Sequence, residues 1–288
     1  MSFSFNFALD ASTCATSSSP SVTPSTVSVR QRDGERFTSK LCAPPPVFSA
    51  VQVGDVTFEM VQTTSADFVA RTGAIGSFLT TTDVQTGVYE GGFKLWECAL
   101  DLVKLLATQR RQGATMAASV LELGCGHGLP GIYALQQGAE LVTFSDYNKE
   151  VLELTTCPNV RRNVDEQMFE RAEFYAGAWS GMSQYMETVE LKTQDQMQFD
   201  LILTAETIYT EAVAVELYQT IKRHLRRAPN ARALVAAKKY YFGTNGSIQH
   251  FVGLVRADGV FTADTVWQER DGRSNIREIV QLTYVDEC

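Results

Sequence analysis

The chain has 288 residues, a formal net charge of −8, and a hydrophobic content of 44%. This length and composition are enough to bury a sizeable core in one large domain or two small ones. The acidic balance argues against broad, non-specific binding to nucleic acids or to anionic membrane surfaces. The first ten residues lack the basic segment followed by an apolar run that a secretory signal peptide needs, and no apolar run reaches the length of a membrane span.

The cysteines and histidines indicate neither a disulfide framework nor a metal site. The six cysteines are irregularly spaced and form no C-x-x-C pair, which favours reduced thiols in a cytosolic or nuclear compartment. The three histidines, His127, His224 and His250, are scattered along the chain. We therefore predict no zinc or other metal centre.

The first 45 residues differ in composition from the rest of the chain. Phe3, Phe5 and Phe7 alternate with polar residues, so residues 1–10 are predicted to form a short strand-like segment. Residues 11–45 are rich in Ser, Thr and Pro and are predicted to form a flexible linker. Residues 46–288 then form the predicted functional domain.

Strands and helices alternate through most of that domain. Apolar alternation and periodicity predict strands over residues 51–62, 119–124, 139–146, 172–177, 199–206 and 231–239, and a final pair over 260–268 and 276–285. Helices are predicted over residues 93–109, 129–137, 149–154, 211–227 and 247–256, with Pro158 ending the third of them. The turn-rich segment "ERDGRS" joins the last two strands and favours an antiparallel pair. The pattern predicts an α/β fold: a seven-stranded, mostly parallel sheet with helices on both faces and a terminal antiparallel hairpin.

A glycine-rich loop follows the strand over 119–124 and fits two different cofactors. Gly126, Gly128 and Gly131 satisfy the dinucleotide pattern G-x-G-x-x-G, whereas Glu122, Gly124, Gly126 and Gly128 satisfy acid-x-G-x-G-x-G, the methyltransferase pattern. Glycine serves both because a side chain would block the approach of the ligand to the backbone. Asp146, at the end of the next strand, can accept both ribose hydroxyls of either cofactor.

Glu122 distinguishes the two cofactors. A carboxylate at this strand end can organise the amino group of a methionine moiety, whereas it would repel the pyrophosphate of NAD. Glu97 lies in an otherwise apolar helical stripe, where an acid needs a partner, and the cofactor ammonium is one candidate. Trp179 can flank an adenine after the third strand of the sheet. These residues favour S-adenosylmethionine over NAD.

Two further residues lie where the fourth strand of the sheet ends. Glu206 and Tyr209 belong to the sequence "TAETIYT" at that point. Ligands of open parallel sheets bind at the carboxyl ends of the strands, so these side chains are expected at the mouth of the site. We identify Glu206 and Tyr209 as the candidate catalytic residues.

Several blocks together resemble one family. They are "FNF", "TGVYEGGFKLWECALDL", "LELGCGHGLPGI", "SDYN", "PNV", "GAWS", "DLILTAETIY" and "KKYYFG". With them the chain resembles, over nearly its full length, the histidine protein methyltransferase family of the methyltransferase-like 18 type. The resemblance implies an S-adenosylmethionine-dependent enzyme that methylates the tele nitrogen of a histidine in a large-subunit ribosomal protein. The chain departs from the family pattern at His127, Pro130 and Ala205.

The resemblance also implies which residues line the cofactor site. Combined with the glycine loop, the expected cofactor-binding residues are Leu95, Trp96, Glu97, Cys98, Ala99, Glu122, Gly124, Gly126, Gly128, Asp146, Tyr147, Asn148, Gly177, Ala178, Trp179 and Ala205. We expect His127 to be a surface or cofactor-adjacent side chain without a catalytic part. We also expect a monomer of the cytoplasm and nucleus, with a protein substrate and no direct contact with nucleic acid or membrane.

For a histidine acceptor no strong base is needed, because a neutral imidazole has a pKa of about 6.5. Glu206 is the candidate acceptor for the hydrogen bond of the other ring N–H, and Tyr209 would shape the pocket. Three other functions stay open at this point. The motif Glu206-Thr207-Ile208-Tyr209 also occurs as acid-x-x-Y in related protein-lysine methyltransferases. A ribosome-assembly binding protein that uses the fold as a scaffold is a third hypothesis, and an NAD oxidoreductase is a distant fourth.

Overall fold

A computed structural model describes residues 32–38, 47–73, 75, 83–270 and 276–285. The predicted strand over residues 1–10, most of the predicted linker over 11–45, and the turn of the terminal hairpin lie outside these described residues. Within the described ranges, no helix has both the length and the apolar character to cross a membrane. The same ranges contain no cluster of His, Cys, Asp and Glu side chains that could hold a metal ion.

The described residues form ten strands and nine α-helices. The strands are β1 (Glu35–Arg36), β2 (Phe48–Val53), β3 (Val56–Val61), β4 (Ser119–Leu123), β5 (Leu141–Asp146), β6 (Ala172–Ala176), β7 (Leu201–Ala205), β8 (Arg232–Lys238), β9 (Phe261–Glu269) and β10 (Arg277–Tyr284). The helices are α1 (Ala66–Arg71), α2 (Glu97–Arg111), α3 (Leu129–Gln136), α4 (Lys149–Val151), α5 (Cys157–Asn163), α6 (Glu166–Phe169), α7 (Trp179–Thr188), α8 (Glu211–His224) and α9 (Ile248–Asp258).

Eight of the strands form one mixed sheet in the order β1-β6-β5-β4-β7-β8-β10-β9. The five strands from β6 to β8 in this order are parallel, whereas β1, β10 and β9 pair antiparallel with their neighbours. The predicted α/β fold with its mostly parallel sheet and terminal hairpin is confirmed, and β1 adds an eighth strand to the seven predicted. The carboxyl ends of β4 to β8 therefore meet at one edge of the sheet.

Helices cover both faces of the sheet because its central strands are apolar on both sides. In β4, every residue from Val120 to Leu123 is buried. Side chains of α2 and α3 form an apolar core on one face, and those of α7, α8 and α9 form a second core on the other. The rigid layer that results fixes the positions of the strand ends.

The sequence predicts that the helical run after β5 ends at Pro158, but in the structure the run continues past this residue. A π-helical segment, Leu152–Thr156, joins α4 to α5, and Pro158 lies in the first turn of α5. A proline in a continuous helix removes a hydrogen bond and clashes with the preceding turn, but the wider π turn leaves room for the ring. The run continues far enough for Asn159 to accept a hydrogen bond from the backbone N–H of Val61 at 2.7 Å.

Part of the predicted linker lies against the sheet. Residues 32–38, here called the N-terminal strap, include β1, and the N–H of Phe37 donates to the carbonyl oxygen of Phe174 at 2.8 Å. The Arg36 guanidinium forms ion pairs with Glu173 at 2.9 Å and Glu190 at 3.0 Å. Because backbone hydrogen bonds and ion pairs hold the strap, its sequence needs no apolar periodicity and shows none. The flexible-linker prediction is therefore wrong for these seven residues.

We predict that Gly177 is essential for the strap contact. Its φ is +115°, and a Cβ there would lie 2.3 Å from the carbonyl oxygen of Asp33. The unfavourable backbone conformation and the clash together should make Gly177→Ala lower the free energy of unfolding by about 2 kcal/mol or more. Gly113 is the matched control because its φ is +92° and a Cβ added there would have no atom within 4 Å. Chemical denaturation that shows equal losses for Gly177→Ala and Gly113→Ala would contradict the contact.

Candidate active site

A cleft of about 730 Å³ opens at the carboxyl edge of the sheet. The ends of β4, β5, β6 and β7 form one wall, and the segment from Glu90 to Ala99 ahead of and within α2 forms the other. Because these strands lie in the order β6-β5-β4-β7, the residues at their ends line the cleft from β6 at one end to β7 at the other.

The glycine loop between β4 and α3 lets the backbone line this cleft. Gly124, Gly126 and Gly128 all have positive φ, at +63°, +50° and +74°. A Cβ on Gly124 would lie 2.6 Å from Cγ2 of Thr207, and one on Gly126 would lie 3.1 Å from the carbonyl oxygen of Gly92. Only glycine combines this conformation with this close packing.

Asp146 supports the loop and retains capacity to bind a ligand. Its Oδ2 accepts the N–H of Gly126 at 3.0 Å, and its Oδ1 accepts the N–H of Asn148 at 3.0 Å. A carboxylate offers about four lone-pair directions, so each oxygen can accept a second hydrogen bond. Asp146 lines the cleft, and its position suits a pair of hydroxyl groups.

Glu122 is a buried carboxyl group at the end of β4. Its Oε2 accepts the N–H of Gly131 at 2.8 Å. Burial, with a smaller contribution from the charge of Asp146, raises the pKa of Glu122 to about 8. The carboxyl group is therefore mostly protonated at neutral pH, and a cation bound next to it would favour its ionised form.

The charges on the cleft favour a cationic ligand. Carboxyl groups line it at Glu90, Glu122, Asp146 and Glu206, and Glu122 adds its negative charge when a bound cation favours its ionised form. Lys94 also lines it, but its ammonium is paired with Asp83 at 2.9 Å and lies 4.4 Å from the centre of the Trp96 ring. A pyrophosphate would meet this acidic lining unfavourably, whereas a ligand with an ammonium and a sulfonium would not.

Most of the predicted site residues come together at this cleft. Those that line it are Leu95, Trp96, Ala99, Glu122, Gly124, Gly126, Gly128, Asp146, Tyr147, Gly177, Trp179, Ala205, Glu206 and Tyr209. Four predicted cofactor contacts, Glu97, Cys98, Asn148 and Ala178, are not among the lining residues.

Each of those four makes contacts within the protein. Glu97 forms an ion pair with Arg277 of β10 at 3.6 Å, so the chain itself supplies a partner for its charge. Asn148 holds the segment before α2, because its Oδ1 accepts the N–H of Glu90 at 3.1 Å and its Nδ2 donates to Val88 at 2.8 Å. The N–H of Ala178 donates to Arg32 of the strap at 3.1 Å. Cys98 is fully buried, and this burial raises the pKa of its thiol.

Glu206 belongs to a buried polar cluster beside the cleft. Its backbone has a φ of +61°, which is uncommon for a residue other than glycine and turns the chain sharply after β7. Its Oε2 accepts the hydroxyl of Tyr241 at 2.6 Å, and its Oε1 lies 3.7 Å from Nζ of Lys238. Tyr209, three residues later, is buried in the same wall of the cleft.

The sequence alone did not identify two participants of this region. Lys238 and Tyr241 fall in the block "KKYYFG", which begins at the last residue of the parallel strand β8, so the rule that sites lie at carboxyl ends of strands could have indicated them. His127 lines the cleft and is buried, so of the two predicted positions, at the surface or next to the cofactor, the first is wrong. Burial lowers the pKa of His127 to about 4, and its Nε2 lies 3.0 Å from the carbonyl oxygen of Phe93. The imidazole is therefore neutral at physiological pH.

Comparisons with known proteins agree with this site. A Dictyostelium discoideum protein named "Histidine protein methyltransferase 1 homolog" is 41% identical over 202 residues, covering 70% of this chain and 60% of that protein. A Bos taurus protein of the same name is 36% identical over 229 residues, covering 72% of this chain and 59% of that protein. A Schizosaccharomyces pombe "Protein N-terminal and lysine N-methyltransferase efm7" is 26% identical over 140 residues, covering 48% of this chain and 52% of that protein.

This chain spans about three fifths of the length of the first two relatives. Residues 81–256 match the family described as lysine methyltransferase. This match includes the glycine loop, Asp146 and Glu206, and it covers more than half of the chain. The chain therefore belongs to the lysine methyltransferase family, and it is also similar to proteins named as histidine protein methyltransferases.

Proposed function

We propose that the protein is an S-adenosylmethionine-dependent protein-histidine N-methyltransferase. The proposed acceptor is the tele nitrogen of a histidine in a large-subunit ribosomal protein. The names of the relatives support a protein substrate and a histidine acceptor. The observation that carries the choice of acceptor is the position of Lys238 beside Glu206, with 3.7 Å between Nζ and Oε1.

The residues of the cleft fit S-adenosylmethionine. Glu122 would hold the ammonium of the methionine part, Asp146 would accept the two ribose hydroxyls, and Tyr147 and Trp179 would flank the adenine. When bound, the cofactor supplies an electrophilic methyl group on a positively charged sulfur. The acidic lining and the close backbone approach that the glycines allow suit a cationic ligand in this cleft.

The acceptor chemistry requires alignment more than it requires a base. A histidine side chain is largely neutral near pH 7, so the lone pair on one ring nitrogen is already available. The enzyme has to hold that nitrogen roughly 3 Å from the methyl group and in line with the bond that breaks. A hydrogen-bond acceptor for the other ring N–H fixes the tautomer and stabilises the imidazolium that forms. Glu206 is the proposed acceptor, and Tyr209 shapes the wall beside it.

Lys238 favours histidine over lysine as the acceptor. The ammonium of Lys238 is buried next to Glu206 and lies 5.3 Å from the centre of the Trp96 ring. A substrate lysine reaches the cleft as an ammonium and must lose a proton before it attacks, so in that first step it would compete with the ammonium of Lys238 for the Glu206 carboxylate. An imidazole enters neutral and needs no such step.

Protein-lysine methylation is the second candidate. The family description, and the sequence Glu206-Thr207-Ile208-Tyr209 at the end of β7, support it. A lysine acceptor would have to lose a proton first, because its unperturbed pKa is about 10.4. A scaffold role in ribosome assembly predicts that Asp146→Ala abolishes methylation but leaves the biological activity intact.

We place the enzyme in the cytoplasm and nucleus as a monomer. Ribosomal proteins pass through both compartments before they are assembled. Cys98 and Cys125 are buried as free thiols, which is compatible with a reducing environment.

Tritiated S-adenosylmethionine added to a cell extract with the purified protein tests the proposed substrate class. The expected result is a single labelled band of the size of a ribosomal protein. Labelling confined to small metabolites would contradict a protein substrate.

The pKa of Glu122 predicts a pH dependence of cofactor binding. Because burial raises this pKa to about 8, Glu122 must lose its proton when a cationic cofactor binds. The affinity for S-adenosylhomocysteine should therefore rise between about pH 6 and 8, with proton release detected by calorimetry in buffers of different ionisation enthalpy. His127 does not titrate in this range, since burial lowers its pKa to about 4.

The variant Glu122→Gln is the control for this dependence. It has no proton to lose, so it should bind more weakly at pH 8 and show little change in affinity between pH 6 and 8.

The ligand-free wild-type protein should also lose stability as the pH rises from about 4.5 to 8, since the folded state retains a proton that the unfolded state releases. The same pH profile in wild type and Glu122→Gln would assign the titration to another group.

A further inference from the structure

Two exposed aromatic side chains lie on the loop that connects β8 to α9. The exposed fraction is 47% for Tyr240 and 75% for Phe242. Among the described residues, only Leu191 matches Phe242 in exposure as a large hydrophobic side chain. Exposed apolar patches commonly mark surfaces where another protein binds, and these two rings lie two residues apart on one loop.

The fold holds this loop in place from below. Tyr241, between the two exposed rings, is buried and donates its hydroxyl to Oε2 of Glu206 at 2.6 Å. Its backbone N–H donates to the carbonyl oxygen of Gly246 at 2.9 Å. Gly246 packs so closely on the β7–α8 connection that a Cβ would lie 2.3 Å from the carbonyl oxygen of Ile208. The two rings are therefore presented by a braced loop.

The strand order places this loop at one end of the cleft. The proposed cofactor contacts come from the ends of β4, β5 and β6, while Glu206 follows β7. Strand β8 is the next neighbour of β7 on the side away from β4. A protein that offers a side chain to Glu206 from this end covers the loop after β8.

We propose that Tyr240 and Phe242 form the docking surface for the substrate protein. The occupant is a basic protein that packs an apolar side chain on these two rings while its acceptor residue enters the cleft. The net charge of −8 and the carboxyl groups along the cleft favour a basic partner. Nζ of Lys239 lies 6.0 Å from the centre of the Tyr240 ring, and three quarters of Phe242 remains exposed.

This inference rests on the proposed function only in that the substrate is a protein. It holds equally for a histidine and a lysine acceptor, because the rings lie outside the cleft and would contact residues that flank the acceptor. Exposed aromatic residues that become buried on binding often supply a large share of the binding energy. Their loss should therefore raise the KM for the protein substrate and leave kcat nearly unchanged.

The test compares Tyr240→Ala/Phe242→Ala with Leu191→Ala, a control of equal exposure beside the ion-paired Lys192. The methyl acceptor is total protein from cells that lack the enzyme, with tritiated S-adenosylmethionine as the donor. At limiting extract the double variant should label protein at least tenfold more slowly than wild type, and the rate should recover as the extract is increased. Its Kd for S-adenosylhomocysteine should stay within twofold of the wild-type value, which shows that the cleft is intact, and Leu191→Ala should behave as wild type.

Three results would overturn the docking surface. If wild type and double variant label protein equally at every extract concentration, the docking surface is wrong, although the methyltransferase activity is shown. A wild-type dimer that the double variant dissociates, without a change in labelling, would assign the surface to a second copy of this chain. Absence of any labelled protein with the wild-type enzyme would remove the proposed function, and the docking surface with it.

Discussion

Replacing Asp146 by alanine is expected to weaken the binding of S-adenosylhomocysteine by about 100-fold or more. Hydrogen bonds to a charged group contribute about 1.5–3 kcal/mol each, and two ribose hydroxyls would lose their acceptor. The variant also removes the acceptors for the N–H groups of Gly126 and Asn148, so the glycine loop loses a support at the same time. Isothermal titration calorimetry measures this loss directly.

Two further variants separate these contributions. Asp146→Asn keeps one carbonyl acceptor without the charge and should bind with an affinity between those of wild type and alanine. Asp55→Ala is the control variant. It removes an exposed aspartate on the β2–β3 turn, which pairs with Arg111 at 2.7 Å and is far in the sequence from the cleft residues. This variant should bind S-adenosylhomocysteine as the wild type does. An affinity of Asp146→Ala within threefold of wild type would show that the cofactor does not use this carboxylate.

Replacing Glu206 by glutamine is expected to lower turnover by about 100-fold. The amide keeps the shape of the side chain but removes the negative charge that would stabilise the developing imidazolium, and positioned acid–base partners contribute factors of this order. The Kd of S-adenosylhomocysteine should change little, because the proposed cofactor contacts lie at β4, β5 and β6. Single-turnover methylation and calorimetry, taken together, measure the two effects.

Tyr241→Phe provides a graded comparison for this prediction. It removes only the hydroxyl that donates to Oε2 of Glu206 at 2.6 Å, so the carboxylate stays but loses one constraint. Its turnover should lie between those of wild type and Glu206→Gln. Glu211→Gln, at the exposed start of α8, should have no effect on turnover. Wild-type turnover in Glu206→Gln would exclude Glu206 as the group that accepts the hydrogen bond of the second ring N–H and stabilises the imidazolium.

The sequence predicts the central sheet because each of its strands has a local signal. An apolar run such as Val120–Leu123 is buried on both faces, so the alternation of runs and helices is enough to infer a parallel sheet. The glycine loop and Asp146 also have local signals, since they occur immediately after such runs. The cofactor end of the cleft was therefore largely predictable.

The parts that the sequence did not predict depend on contacts between distant segments. Glu97 pairs with Arg277 at 3.6 Å, and these residues are far apart in the chain, so its acidic charge was assigned to a ligand. Lys238, the last residue of β8, and Tyr241, three residues after it, reach Glu206 from the neighbouring strand of the sheet. The strap is held by the ion pairs of Arg36 and by backbone hydrogen bonds, for which its charged sequence "RDGERFT" has no periodic signal.

The identity of the methylated residue is the most direct test of the proposed function. Protein labelled with tritiated S-adenosylmethionine is hydrolysed in acid, and the labelled amino acid is separated by chromatography against methylated histidine and lysine standards. The proposal predicts that the label is in histidine methylated at the tele nitrogen, because a neutral imidazole fits beside Glu206 and Lys238. Label recovered as methyllysine would contradict it and assign the cleft to the chemistry that the family description names.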